Sequence, residues 1–282
     1  MILHHLQIKG VFMSYFTKND TRLYYEIRGD RNAEETIVFL NGVMASTNSW
    51  YNLSKPFEEL GFKVLLHDFK GQLKSDKPEG PYTFMEHVEE LCALLDELSI
   101  EEAHFIGTSY GGEVAMKFAS RYGHRMKSMV IIDSTSETDP MMDYFISSWK
   151  KAAEEGDGEK FFNILVPSIY GVKFLKENEA FLAARAKATK NIGQEYLDGQ
   201  MILYDTFLND VHMTETLKDI RVKTLIICGE EDILKKPEHS LKIHHLIRDS
   251  EYVTLPECGH VSIFEKPNEV TTLLLGFVLK NP

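Results

Sequence analysis

Three residues far apart in the chain, Ser109, Asp232 and His260, have the types and settings that covalent acyl transfer requires. A serine hydroxyl is a weak nucleophile at neutral pH. It needs a base within hydrogen-bond reach, and the base needs a carboxylate to hold its tautomer and stabilise its cation. Ser109 is the centre of Gly107-Thr108-Ser109-Tyr110-Gly111, a G-x-S-x-G spacing. A serine at the tip of a sharp strand-to-helix turn is strained and exposes its hydroxyl. The residues two before and two after it crowd together, and glycine leaves room there. Five residues alone can match by chance. Here the apolar run Ala103-His104-Phe105-Ile106 precedes the turn and a helical pattern from Glu113 to Ala119 follows it, which is the context the turn needs.

Most of the eleven histidines lie in surface, helical or strand settings. His260 differs. It sits in Pro256-Glu257-Cys258-Gly259-His260, the loop leaving the last expected strand, and an open α/β sheet places its site at such strand ends. The acid should occupy another such loop, between serine and histidine in chain order. Asp232, in Gly229-Glu230-Glu231-Asp232 after an apolar run, is the choice, with Glu230 and Glu231 read as solvated. Asp133, at the end of the preceding strand, is the rival. An oxyanion needs two donors. The helix starting at Tyr110 supplies one backbone N–H. The loop Asn41-Gly42-Val43 is the expected source of the other, from Val43, with the Asn41 side chain orienting the loop or contacting substrate.

The elements that must position these groups follow from patterning. Arg22–Arg28 alternates as an early antiparallel strand, and 36–40, 63–68, 103–107, 129–132, 223–228 and 251–255 read as further strands. Several are continuous apolar runs, as strands buried on both faces require. Helices are expected over 49–60, 82–98, 110–122, 237–247 and 267–279. Repeated βα units mean a mostly parallel sheet with helices on both faces. The alternation stops after Asp133, and residues 134–215 read as helices alone: 141–153, 159–165, 174–190 and 194–208. The division is therefore a core of 1–133 and 216–282 with a helical cap of 134–215 over the strand ends. Tyr144, Trp149 and Phe162 are the candidates from that cap to bind substrate, although its aromatics could equally form its own small core.

The net charge of −12 argues against nucleic acid or an anionic membrane surface as partner, since both need basic patches. No window approaches the apolar length of a membrane span, and the N-terminus lacks the pattern of a signal peptide. Cys92, Cys228 and Cys258 are an odd, sparse set that fits reduced thiols and a cytoplasmic location. Cys228 is expected as buried filler and Cys258 is not expected to be a second nucleophile. Met13 offers an alternative start, which would make 1–12 an extension.

Taken together, the Ser109 turn, the Asp232 loop with Pro237 downstream, the segment Gly259-His260 followed by Glu265-Lys266-Pro267, and Trp50 after Gly42 resemble the α/β-hydrolase superfamily, in its cap-bearing esterase and lactonase branch. The likeness runs from Leu23 to Phe277. It implies the α/β-hydrolase fold, a mostly parallel eight-stranded sheet with helices on both faces and an inserted helical cap. It also implies hydrolysis of a small carboxylic ester or lactone through an acyl-enzyme on Ser109, with no metal or organic cofactor. A lyase, an acyltransferase or a slow ligand-sensing protein on the same fold are the alternatives. Two features depart from the branch: Asn41 stands where a histidine is usual, and Lys70 and Leu73 differ in a loop that commonly carries arginine and glycines.

Overall fold

The apolar runs form strands because each buries side chains alternately on two sides of one sheet. Residues 7–8 and 11–282 are described by the computed structural model. The strands are β1 (Gln7–Ile8), β2 (Val11–Lys18), β3 (Thr21–Gly29), β4 (Thr36–Leu40), β5 (Lys63–His67), β6 (Ala103–Thr108), β7 (Met126–Ile132), β8 (Thr224–Gly229) and β9 (Ser250–Leu255). They lie in the order β1-β2-β3-β5-β4-β6-β7-β8-β9. Pairs from β5 through β9 are parallel, whereas β1, β2 and β3 join antiparallel. Strands β2–β9 make up the eight-stranded sheet that the resemblance implies, and the two-residue β1 extends its edge.

The helices are α1 (Tyr51–Glu59), α2 (Phe84–Glu97), α3 (Tyr110–Tyr122), α4 (Pro140–Glu154), α5 (Gly158–Ile169), α6 (Val172–Glu177), α7 (Glu179–Thr189), α8 (Gln194–Asp210), α9 (Pro237–Leu246), α10 (Ser262–Glu265) and α11 (Pro267–Lys280). Ile37, Phe39, Val64, Leu66, Ile106 and Val130 point to one face, where Leu53 and Phe57 of α1 and Leu274 and Phe277 of α11 cover them. Val38, Leu40, Leu65, Phe105 and Met129 point to the other, under Val88 and Leu91 of α2 and Val114 and Phe118 of α3. This period-2 division explains why the central strands read as unbroken apolar runs. Each such side chain, fully buried, contributes about 1.5–3 kcal/mol relative to exposure.

Two elements differ from expectation. β2 has no counterpart in the sequence reading. Its side chains are half-buried or exposed, so it lacks a clean alternation, but it pairs with β3 from Val11↔Arg28 to Lys18↔Thr21. The turn between them, Asn19-Asp20, has φ of 48° and 64°, the left-handed pair that a tight hairpin needs. Residues 11 and 12 thus belong to the sheet. Of the segment 1–12 read as a separable extension, 1–6 and 9–10 lie outside the described residues. The helix expected over 174–190 is divided at Asn178 (φ −123°, ψ 25°). The Asn178 side-chain amide donates to the Phe174 carbonyl at 3.1 Å, a local bond that competes with helix continuation.

Helices α4–α8 all fall between β7 and β8. β4 connects to β5 on one side, while β6 lies on its other side, so strand order reverses between β4 and β6. Their carboxyl ends flank the crevice where open α/β sheets bind ligands. Ser109 follows β6 directly, and the Gly42 loop follows β4. Among the described residues no helix is long and apolar enough to cross a membrane.

Candidate active site

Ser109 has φ 50° and ψ −119°, a strained backbone for a non-glycine residue. Its N–H donates to the Ile132 carbonyl at 2.8 Å, and its own carbonyl accepts from Gly112 N–H and the Ser134 hydroxyl at 2.9 and 3.0 Å. The flanking glycines are sterically required. A Cβ on Gly107 would lie 2.4 Å from the Gly111 carbonyl oxygen, and one on Gly111 would lie 2.1 Å from that of Leu40. The turn can therefore close only with glycine at both positions.

The three separated residues meet. Ser109 Oγ is 3.0 Å from His260 Nε2, and His260 Nδ1 is 2.8 Å from Asp232 Oδ2. The other Asp232 oxygen, Oδ1, accepts from the N–H groups of Leu234 and Lys235 at 2.9 and 2.8 Å. These bonds fix the carboxylate before it reaches the imidazole. Burial lowers the proton affinity of His260, but the Asp232 carboxylate outweighs it and holds the pKa above the ordinary 6.5. The His260 loop is steadied by Glu265, whose carboxylate accepts from Gly259 N–H at 3.1 Å and Gly171 N–H at 3.0 Å.

The rival acid, Asp133, is fully buried but turned to other work. It accepts from Gly229 N–H at 3.0 Å, Ser262 N–H at 3.1 Å and the Ser262 hydroxyl at 3.0 Å. It ties together the loops that carry Asp232 and His260. Burial and the neighbouring Asp232 charge raise its pKa. Glu230 is exposed, as expected, whereas Glu231 is half-buried and accepts from Val172 N–H at 2.7 Å, capping α6. Cys228 and Cys258 are both buried, and burial pushes the Cys258 thiol well above its usual pKa, away from thiolate chemistry.

The loop after β4 stands against the nucleophile: a Cβ on Gly42 would come 3.3 Å from Ser109 Cβ. Asn41 is fully buried beneath that loop and does not line the cavity, so the expectation that it contacts substrate is corrected. Its amide donates to the His67 carbonyl at 2.9 Å, Asp68 at 3.2 Å and Gln72 at 2.9 Å, and its oxygen accepts from the Trp50 indole at 2.8 Å. Every polar atom of its side chain is engaged within the core. Gln72 in turn donates to the Gly42 carbonyl at 2.8 Å.

A cavity of about 380 Å³ opens above Ser109. Val43, Tyr110 and Lys235 line it from the core, and Trp149, Phe162 and Tyr196 from the helical insertion. Trp149 and Phe162 line the cavity while lying almost wholly buried. Tyr144 does not: it is 77 % exposed and lies off the cavity. Helix periodicity is the reason, because α4 buries Met142, Ile146 and Trp149 on one face and turns Tyr144 outward. Arg185, on α7, also lines the cavity, its guanidinium 5.9 Å from the Phe162 ring centre and 5.3 Å from that of Phe264.

Three polar residues at the site escaped the sequence reading. Gln200, buried on α8, accepts from Met44 N–H at 2.8 Å and donates to the Gly71 carbonyl at 2.7 Å, joining the insertion to the β4 loop. Lys235 and Glu113 form a buried ion pair beside Ser109. The only signals for that pair were a charged residue early in the apolar helix α3 and a lysine soon after Asp232. Among the described residues no cluster of potential metal ligands occurs.

The family described as alpha/beta hydrolase fold matches residues 35–267. A 2-hydroxy-6-oxo-6-phenylhexa-2,4-dienoate hydrolase of Comamonas testosteroni is 25% identical over 272 residues, which are 92% of either chain. The solved structure of MGS-M2, an alpha/beta hydrolase enzyme from a Medee basin deep-sea metagenome library, superposes with a TM-score of 0.89 at 33% identity, over 94% of this chain and 97% of that one. An enol-lactonase from Burkholderia xenovorans LB400 superposes with a TM-score of 0.84 over 94% and 99% of the two chains. Its 22% identity makes that a likeness of fold.

Proposed function

The chain belongs to the α/β-hydrolase family, whose matched relatives here are hydrolases, and from that premise we propose that it cleaves a small carboxylic ester or lactone through an acyl-enzyme on Ser109. The observation that carries the reading is the continuous chain Ser109 Oγ, His260 Nε2, His260 Nδ1, Asp232 Oδ2, with links of 3.0 and 2.8 Å.

In the first step His260 Nε2 takes the hydroxyl proton as Oγ bonds to the carbonyl carbon. Asp232 accepts the Nδ1–H bond throughout and stabilises the imidazolium. The backbone N–H groups of Val43 and Tyr110, on either side of Ser109, hold the oxyanion. The imidazolium then gives its proton to the departing alkoxide, and the C–O bond breaks. Water enters, loses a proton to His260 and adds to the acyl carbon; the C–Oγ bond then breaks and His260 returns the proton to Ser109. These steps call on no metal or organic cofactor.

Residues 134–215 act as the cap in this reading, and the apolar wall from Trp149 and Phe162 selects the acyl or alcohol group. A cavity of about 380 Å³ suits a small molecule. The net charge of −12 accords with a small-molecule substrate and no nucleic-acid partner. The test is a panel of short-chain esters and lactones with a fluorophosphonate probe. Ser109→Ala should lose probe labelling and about a millionfold in rate while keeping its far-UV circular dichroism. Activity persisting in that variant would overturn the mechanism. Labelling of Ser109 without turnover of any ester or lactone would overturn the substrate class.

A further inference from the structure

Lys235 is only 3% exposed, and a buried lysine is uncommon without a reason. Its Nζ lies 3.1 Å from Ser109 Oγ and 2.9 Å from each carboxylate oxygen of Glu113. It also stands 4.5 Å from the ring centre of Phe207, on the cavity side. Glu113 belongs to the first turn of α3, one turn beyond the nucleophile, and its Oε1 also accepts from Thr135 N–H at 2.9 Å.

The direction of each bond follows from the others. His260 Nδ1–H is committed to Asp232, so Nε2 is bare and must accept. The Ser109 hydroxyl has one hydrogen, and that hydrogen points to Nε2. The contact between Lys235 and Oγ therefore runs the other way, with the ammonium donating to an oxygen lone pair. Burial raises the pKa of Glu113 above the ordinary carboxylate value, and Lys235 and the Thr135 N–H offset part of that rise. A carboxyl whose two oxygens both face an N–H donor is an ionised acceptor, so the pair is ammonium and carboxylate.

We propose that Lys235 is a further catalytic residue: a fixed cation, held by Glu113, that stabilises negative charge on Ser109 Oγ whenever that oxygen is stripped of its proton or expelled from the acyl carbon. The inference rests on the serine-nucleophile reading above. In acylation the Oγ proton passes to His260 while Lys235 keeps its own three. In deacylation the C–Oγ bond breaks, the electron pair returns to Oγ beside the ammonium, and His260 restores the proton. A charge so close to the developing anion, carried by a buried lysine, is screened less than one in water.

The same cation sets the base. His260 is faced by Asp232 and, behind it, Asp133, both of which favour the imidazolium, by Lys235, which opposes it, and by Glu113 and Glu265 farther out. Lys235 thus offsets part of the pull of the carboxylates and keeps more His260 neutral and able to accept a proton.

The experiment compares wild type, Lys235→Met and the double variant Lys235→Met with Glu113→Gln, using kcat/KM for a short-chain aryl ester across pH, with thermal melting alongside. Lys235→Met leaves Glu113 buried without its partner, so it should melt lower. The double variant removes both charges while keeping volume and the Thr135 bond, and should regain most of that melting temperature. If Lys235 is catalytic, the double variant remains about tenfold or more slower on the pH plateau. Its acid limb also moves to higher pH, because the lost cation was nearer His260 than the lost anion. A double variant with the wild-type plateau overturns the inference, wherever its acid limb lies. Wild-type protein that fails to label at Ser109 would instead remove the reading on which it rests, so the two failures are separable.

Discussion

The two walls of the cavity are built on opposite plans. The floor, at the ends of β4, β6, β7, β8 and β9, is dense with short polar contacts: Ser109 to His260, His260 to Asp232, Lys235 to Glu113, and Asp133 to three donors. The roof, from α4 to α8, presents Trp149, Phe162 and Tyr196, with Gln200 bonding down to the β4 loop. Charges in the floor are held rigidly because each has a fixed partner in the backbone or a neighbouring side chain. The roof relies on shape. In the proposed function, chemistry therefore belongs to the strand ends, where backbone geometry is set by the sheet, and selectivity to the helices, where side chains can be exchanged without moving the reacting atoms.

The largest effects should come from the floor. Asp232→Asn removes the carboxylate that fixes the His260 tautomer, and should cost about ten-thousandfold in kcat. The pH profile sharpens this. Because the Asp232 charge outweighs burial, His260 should hold its proton to a pH above 6.5, and activity should fall as the pH drops through that point. In Asp232→Asn the remaining acid limb should move to lower pH, since the group that raised the value is gone. Asp133→Asn offers the contrast within the floor. Its amide would turn an N–H toward the Ser262 N–H, leaving a buried donor unpaired, at a cost of about 1–3 kcal/mol in stability. Its loss of rate should be far smaller than that of Asp232→Asn. Equal kinetic losses in the two variants would erase the division of labour between these aspartates.

A smaller effect is expected where roof meets floor. Gln200→Ala removes the acceptor of Met44 N–H and a donor to Gly71. It should lower kcat/KM by about tenfold, from the range of one or two lost hydrogen bonds, and slow fluorophosphonate labelling in parallel. Unchanged labelling would mean that the β4 loop stands without the insertion. The smallest effect belongs to Tyr144→Ala on the outer face of α4, which should leave kinetics and melting within about 0.5 kcal/mol of wild type. A large change there would contradict the orientation of that helix.

The serine turn and the strand ends of the floor are legible in the sequence because their signals are local, whereas the Lys235–Glu113 pair is not. Gly107 and Gly111 leave room for the turn, and the apolar runs before Ser109 and Asp232 announce strands whose ends must carry loops. β2 was missed because its half-exposed residues blur the alternation, although the Asn19-Asp20 turn offered a clue. Tyr144 was misplaced because choosing the inward face of an isolated amphipathic helix needs its partner. Asn41, at a strand end, has two directions open to it in the sequence, toward the loop or toward substrate. Only the packing of Trp50 and Gln72 around it selects one.

By itself the sequence determined the βα order and the serine turn, since each depends on residues within one turn or strand of one another, and it set the order of Ser109, Asp232 and His260 along the chain. The tertiary structure decided which of two aspartates faces the imidazole and which cap aromatics face the cavity. It also brought Lys235 and Glu113, 122 residues apart, to one side of Ser109. Those outcomes depend on distances across the sheet ends, which are fixed when strands and helices pack together and not by any local run of residues.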